Sequence, residues 1–329
     1  MLRRTQGSER DGKQDQGLTC ALALSQGWVR RIHQANAWQP IRAHPPAATP
    51  LMPLHPQPQA AVPRPAVAEP SLVPSLPSGW TLQVFSDPAP LARAVANQLL
   101  EQRLHRPERP LGLATGRTME PIYAALIRGM EELAGPERQR LRRQWLSFNL
   151  DEYVGLGPSD PHSFRTTMRQ RLQEPLGLKP SNLRLPRGDA EDPDQEAHRY
   201  GEELAAAGGQ DLQLLGLGMN GHVGFNEPPC RAEAGCRCVR LSQSTRQANA
   251  ADFGGDPEAV PERAITLGLR EILQAARIVL VVTGAKKAGI LNRLLLEEPS
   301  PALPASWLRS HGNVRLVVHE QALTGSKTR

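Results

Sequence analysis

Residues 211–228 read DLQLLGLGMNGHVGFNEP. The apolar run at the start is short and ends on Gly218, which reads as a buried strand rather than a helix. His222 stands four residues further on, between Gly221 and Val223, with Asn226 and Glu227 close behind. Glycine lets the backbone turn tightly there, so the imidazole is lifted above the end of the strand. Similar units flank this one. Upstream, TLQVF (81–85), RPLGLAT (109–115) and QWLSFNL (144–150) read as strands, and residues 89–104, 119–133, 162–173 and 190–207 as helices. Downstream, the strands RIVLVVTG (277–284) and NVRLVVH (313–319) follow helices near 265–275 and at 285–296. Apolar strands alternating with helices predict an α/β fold with a mostly parallel sheet and helices on both faces. Such sheets bind ligands at the carboxyl ends of their strands. A functional motif should therefore fall just after a strand.

The chain has 329 residues and a formal charge of +6, which invites a nucleic-acid reading. Residues 1–79, however, hold eight Lys/Arg against four Asp/Glu, a net of +4, leaving only +2 for residues 80–329. With no basic run interleaved with aromatics, no nucleic-acid partner is expected. Cys230, Cys236 and Cys238 follow C-x5-C-x-C, which is not a usual zinc spacing, and no His lies just downstream to complete four ligands. Reduced thiols in a cytoplasmic protein are expected, and no metal. No apolar run approaches the ~18 residues of a membrane span, and LTCALAL (18–24) is too short for a signal peptide. Twelve prolines lie between Pro40 and Pro77. Such a stretch buries too little surface to offset its ordering entropy, so residues 1–79 are expected to form a disordered or polyproline-like extension. Acidic Glu9, Asp11 and Asp15 argue against a transit peptide, and a start assigned too far upstream is an equal reading. A single domain is expected over residues 80–329.

Four motifs fall just after strands. In LGLATGRTMEP (111–121) a strand runs through Thr115, Gly116, Arg117 and Thr118 into a helix. Glycine admits a close ligand and the helix start offers free N–H groups to an anion, although such turns also use Thr and Gly for geometry alone. In FNLDEYVGL (148–156) Asp151 and Glu152 are adjacent, point in different directions and should do different jobs. One facing the crevice suits a general base; a solvated acidic turn is the plainer alternative. His222 titrates near neutrality in its ordinary state and suits a proton shuttle, with Asn226 and Glu227 near enough to orient it; a structural histidine is the alternative. In VVTGAKKAG (281–289) Lys286 and Lys287 open a helix whose dipole disfavours cations, a conflict that an anionic ligand would resolve. Solvated lysines would also account for it.

Taken together, FNLDEYVGL, HSF (162–164) and GLGMNGHVGFNEP (216–228) resemble the glucosamine-6-phosphate deaminase family, over roughly residues 80–325. That family belongs to a sugar-phosphate isomerase and lactonase superfamily with a Rossmann-like fold. The resemblance implies conversion of glucosamine 6-phosphate and water to fructose 6-phosphate and ammonia, in amino sugar catabolism, with no cofactor. It implies Asp151 as the base at C2, His222 as the proton relay for ring opening and Glu227 as the carboxylate supporting it. Asn220, standing where some members have Asp, is implied to belong to the same catalytic group. Thr115, Gly116, Arg117, Thr118 and Lys287 are implied to hold the phosphate of a small-molecule sugar phosphate.

Some residues depart from the pattern. Ala251 replaces an Arg that binds phosphate in many members, and Arg117 stands where they have Gly or Ser, so Arg117 is expected to supply the missing cation. Val239, between Arg237 and Arg240, replaces a Lys expected in regulated hexameric relatives, so a monomer or an unregulated homo-oligomer is expected. Phe164 takes the place of a Tyr. Related 6-phosphogluconolactonases would be expected to carry DER and a GHTASLF-like run instead. That lactonase and a non-catalytic sugar-phosphate sensor are the competing readings.

Overall fold

The computed structural model of the chain describes residues 76–324. The expectations for residues 1–75 lie outside them. The first strand, β1 (Trp80–Phe85), begins on a buried indole that donates to the Leu308 carbonyl at 3.3 Å. It pairs in a seven-stranded sheet with β2 (Leu111–Leu113), β3 (Ser147–Asn149), β5 (Leu183–Arg184), β6 (Leu212–Gly216), β9 (Arg277–Val282) and β10 (Val314–His319). The order is β1-β10-β9-β6-β2-β3-β5, and every pairing is parallel. Leu212, Leu214, Leu215 and Ile278 to Val282 are at most 1% exposed. Strands buried on both faces need cover on both faces, and the connecting helices provide it. α1 (Pro88–His105) and α2 (Glu120–Glu132) pack side by side. Val95, Leu99, Ile122 and Leu126 on them are fully buried, each contributing about 2 kcal/mol before entropy is counted. α3 (Gly135–Gln144) leads into β3, α4 (Phe164–Met168) follows it, and α5 (Pro193–Ala206) leads into β6.

From β2 the chain moves outward through β3 to β5. It then returns to the other side of β2 with β6 and continues outward through β9 and β10. The direction of winding reverses between β2 and β6, and a crevice opens at such a point.

A second sheet sits beside the first. β4 (Asp151–Tyr153), β7 (Arg237–Arg240) and β8 (Arg263–Thr266) form it in the order β4-β8-β7, all antiparallel. Residues 263–266 are thus a strand, not the start of a helix near 265–275. Pairing with β4 and β7 on its two sides and complete burial of Ala264, Ile265 and Thr266 outweigh the local pattern. The helix there, α7, is confined to Leu269–Leu273, and α6 (Gln243–Asn249) follows β7. Only Leu150 separates β3 from β4. Its amide donates to Leu113 in the large sheet at 2.9 Å, and its carbonyl accepts from the Leu267 amide beside β8 at 2.7 Å. No helix among the described residues is long and apolar enough to cross a membrane.

Candidate active site

The loops after β2, β3, β6 and β9 converge around a cavity of about 570 Å³ at the point where the winding reverses. Thr115, Gly116, Arg117, Thr118, Asp151, Asn220, His222 and Lys287 line it, while Glu227 lies behind the wall.

β4 alternates its side chains, so the adjacent carboxylates diverge. Asp151 enters the cavity wall and is 5% exposed. Burial first, and then the charge of Glu152, push its carboxyl up to about 8. Glu152 turns to the start of α4, accepting from the Tyr153 and Phe164 amides at 2.9 Å and from the Arg165 amide at 2.7 Å. The pair does different jobs, as the alternation predicts: one faces the cavity and the other caps a helix.

The histidine loop folds back on itself. The Gly218 amide donates to the His222 carbonyl at 2.9 Å, and the Gly221 amide to the Gly218 carbonyl at 3.1 Å. A Cβ on Gly218 would lie 2.3 Å from the imidazole, so the ring rests on the bare Cα of that glycine. Gly221, at φ +85°, has no room for a side chain against Leu303. Neither Asn226 nor Glu227 holds the ring, contrary to the expectation from proximity. Asn226 instead donates to the Val223 and Leu267 carbonyls at 3.0 and 2.9 Å and accepts from Arg237 at 2.9 Å. Nδ1 of His222 is buried without a hydrogen-bond partner. Burial depresses the imidazole to about 4, only partly countered by Glu227, and Lys287 lowers it further. The ring is therefore neutral at pH 7, where the sequence suggested a group titrating near neutrality.

Against this geometry stands the likeness to known proteins. A family model for glucosamine-6-phosphate isomerases/6-phosphogluconolactonase matches residues 86–317. The chain belongs to this family. Among its relatives, a glucosamine-6-phosphate deaminase of Rhodopirellula baltica is 40% identical over 241 residues, covering 73% of this chain and 94% of that protein. Glucosamine-6-phosphate deaminase 1 of Bacillus subtilis is 38% identical over 231 residues, 70% of this chain and 91% of its own. A solved monomeric glucosamine-6-phosphate deaminase superposes with a TM-score of 0.69 at 34% identity, covering 74% of this chain and 98% of that one. A 6-phosphogluconolactonase from Trypanosoma brucei, at 22% identity and a TM-score of 0.57 over 75% of this chain and 98% of its own, shares the fold.

In this family member Glu227 is the most heavily bonded carboxylate near the cavity. It accepts from the Ser242 amide at 2.7 Å, the Ser242 hydroxyl at 2.6 Å, Asn220 at 3.3 Å and the Thr245 hydroxyl. Burial alone would raise its carboxyl, but these donors hold it below the usual range. Asn220 also accepts from the His222 amide at 3.2 Å, a double role that needs one donor and one acceptor and so suits an amide. Gly116, at φ +107°, turns the chain into α2, whose first turn has no side-chain cap and so leaves amides available to an anion. Lys287 is half-buried, lowered by that burial, and donates to the Leu217 carbonyl at 2.6 Å; Lys286 is exposed and outside the wall.

Arg117 lines the cavity, whereas exposed Ala251 does not. Arg237 is occupied with Asn226 and the Gly235 carbonyl, and Arg240 with Glu262 at 3.0 Å. Cys230, Cys236 and Cys238 are free thiols, and no group of three potential metal ligands occurs among the described residues. Tyr153, Asn249 and Asp252, to which the sequence assigned no role, also line the wall. They follow no strand of the large sheet, so the strand-end test could not find them.

Proposed function

We propose that the chain converts glucosamine 6-phosphate and water into fructose 6-phosphate and ammonia. One observation carries this reading: a buried carboxyl, a neutral imidazole and a lysine at a strand-to-helix turn meet in one cavity at the reversal point. His222 relays a proton to the ring oxygen as the sugar opens to its aldehyde. Asp151 removes the proton from C2, the C–H electrons form a C1–C2 double bond, and the aldehyde oxygen takes a proton. Protonation at C1 then leaves an imine at C2; water adds there, ammonia departs, and the ketone remains. The substrate's own carbonyl stabilises the carbanion, so general acid–base steps suffice and no cofactor is called for. Glu227, held ionised, acts through Asn220 on the loop that carries His222. The Thr115–Thr118 turn, Arg117 and Lys287 bind the phosphate.

On this reading residues 80–329 hold the whole activity. The enzyme works in the cytoplasm, where free thiols stay reduced, and needs neither nucleic acid nor membrane. The engagement of Arg237 with buried Asn226, together with Val239 in place of a lysine, supports a monomer or homo-oligomer without regulation through this segment. The deciding experiment is incubation with glucosamine 6-phosphate and measurement of ammonia. Release at a rate that Asp151→Asn abolishes is expected. Binding without release would instead make the chain a sensor, and hydrolysis of 6-phosphogluconolactone alone would make it a lactonase.

A further inference from the structure

We propose that Asp252 binds the ammonium group of the substrate and so selects amino sugar phosphates over their hydroxy counterparts, an inference that rests on the deaminase reading. Apart from His222 and Tyr153, the ionisable groups in the cavity wall are Arg117, Lys287, Asp151 and Asp252. They are not mixed at random. Lys287 is tied at 2.6 Å to the carbonyl of Leu217, just past the end of β6. Asp252 is carried by a turn that packs through Phe253 on Tyr153, which shares the strand β4 with Asp151.

Asp252 sits on the turn Ala250–Phe253 that follows α6. The turn is clamped by Phe253, which is 8% exposed, edge-on to Tyr153 with centroids 5.4 Å apart and stacked on His162 at 4.9 Å. The Asp252 side chain is exposed and has no ion-pair or hydrogen-bond partner among the described residues. Beside it, Asn249 donates to the Tyr153 oxygen at 2.9 Å, which leaves the phenolic proton free to donate into the cavity. This side thus offers an anionic acceptor next to a neutral donor.

A phosphate would be repelled there and an ammonium held by a charge-assisted hydrogen bond. A ligand carrying both groups is oriented by that polarity, phosphate toward Lys287 and amine toward Asp252. A hydroxyl or an N-acyl group at C2 forfeits the attraction.

Two unreactive probes test this: 2-amino-2-deoxyglucitol 6-phosphate and glucitol 6-phosphate. Both lack the C1 carbonyl and cannot isomerise, and they differ only at C2. Titration calorimetry on the full chain should show the amino probe binding about tenfold more tightly, the size of one charge-assisted contact at a partly solvated site. Asp252→Asn should erase that preference by weakening the amino probe, while Asp252→Glu keeps most of it. A wild-type chain with no preference, or an Asp252→Asn chain weakened equally toward both probes, would overturn the proposal. Because neither probe reacts, the result is read whether or not glucosamine 6-phosphate yields ammonia, so the two readings fail separately.

Discussion

Asp151 and His222 line one cavity, and between about pH 4 and 6.5 both are in protonation states opposite to those of the ordinary side chains. With its carboxyl at about 8, Asp151 holds its proton at pH 7; with its imidazole at about 4, His222 does not. A base must first lose its proton, so kcat/KM should climb with pH toward a midpoint near 8. Asp151→Asn should lower turnover by at least about 10²–10⁴-fold. The same shift has a cost in stability. The native state binds the Asp151 proton more tightly than the unfolded chain, whose value is 3.8, so stability drains as pH rises from about 4 through about 8. Asparagine has no charge to bury, and Asp151→Asn should therefore melt higher than wild type at pH 8, with the gap closing as pH falls. An unchanged gap across that range would show that the carboxyl is not shifted. Elsewhere in the wall, Arg117→Ala should weaken glucosamine 6-phosphate binding about tenfold if the guanidinium grips the phosphate; wild-type affinity would mean that it points to solvent. Asn220→Asp replaces the donor to Glu227 with a second negative charge next to the histidine loop. The imidazole should rise from about 4, which a proton NMR titration of His222 would register. At this scale Asp151, His222 and Lys287 were legible because glycine and strand ends frame them. The depressed His222 and the retreat of Glu227 behind the wall were not, because burial is a property of chain segments far apart in sequence.

Among the elements, the glycines of the histidine loop are the most exacting. Gly218→Ala would place a methyl 2.3 Å from the ring, and His222 must move aside. A misplacement of that order costs about 10²-fold in rate while the fold survives, so activity should fall with an unchanged circular dichroism spectrum. Equal loss of both would show that the glycine serves folding alone. The long parallel strands and the amphipathic helices were legible because each carries several turns or pairs of periodic residues. β4, β7 and β8 were not. β2 and β3 are as short, but an apolar run frames each of them, whereas DEY (151–153) and RCVR (237–240) carry charged residues and no such run; Arg263–Thr266 is a strand only because β4 and β7, remote in sequence, flank it. The aromatic floor where Tyr153 meets Phe164 at 4.7 Å and Phe225 at 5.5 Å depends on that same small sheet.

For the molecule as a whole, the alternation of strands and helices fixed the fold class but not the strand order. The reversal between β2 and β6 gathers motifs separated by more than a hundred residues, and only the pairing pattern reveals which loops become neighbours. If residues 80–329 hold the activity, a chain beginning at residue 76 should release ammonia at the full-length rate. A marked loss would assign a role to the Pro-rich segment.

The single residue between the two sheets has an arithmetic consequence. Leu150 is hydrogen-bonded into both, so it acts as a counter: it sets whether an odd or an even position of β4 looks inward. Sliding β4 by one place through an insertion at that joint would swing Asp151 to the cap of α4, where Glu152 now sits, and leave a stranger in the cavity. In this protein the parity of a one-residue tether decides which of two neighbouring acids faces the cavity.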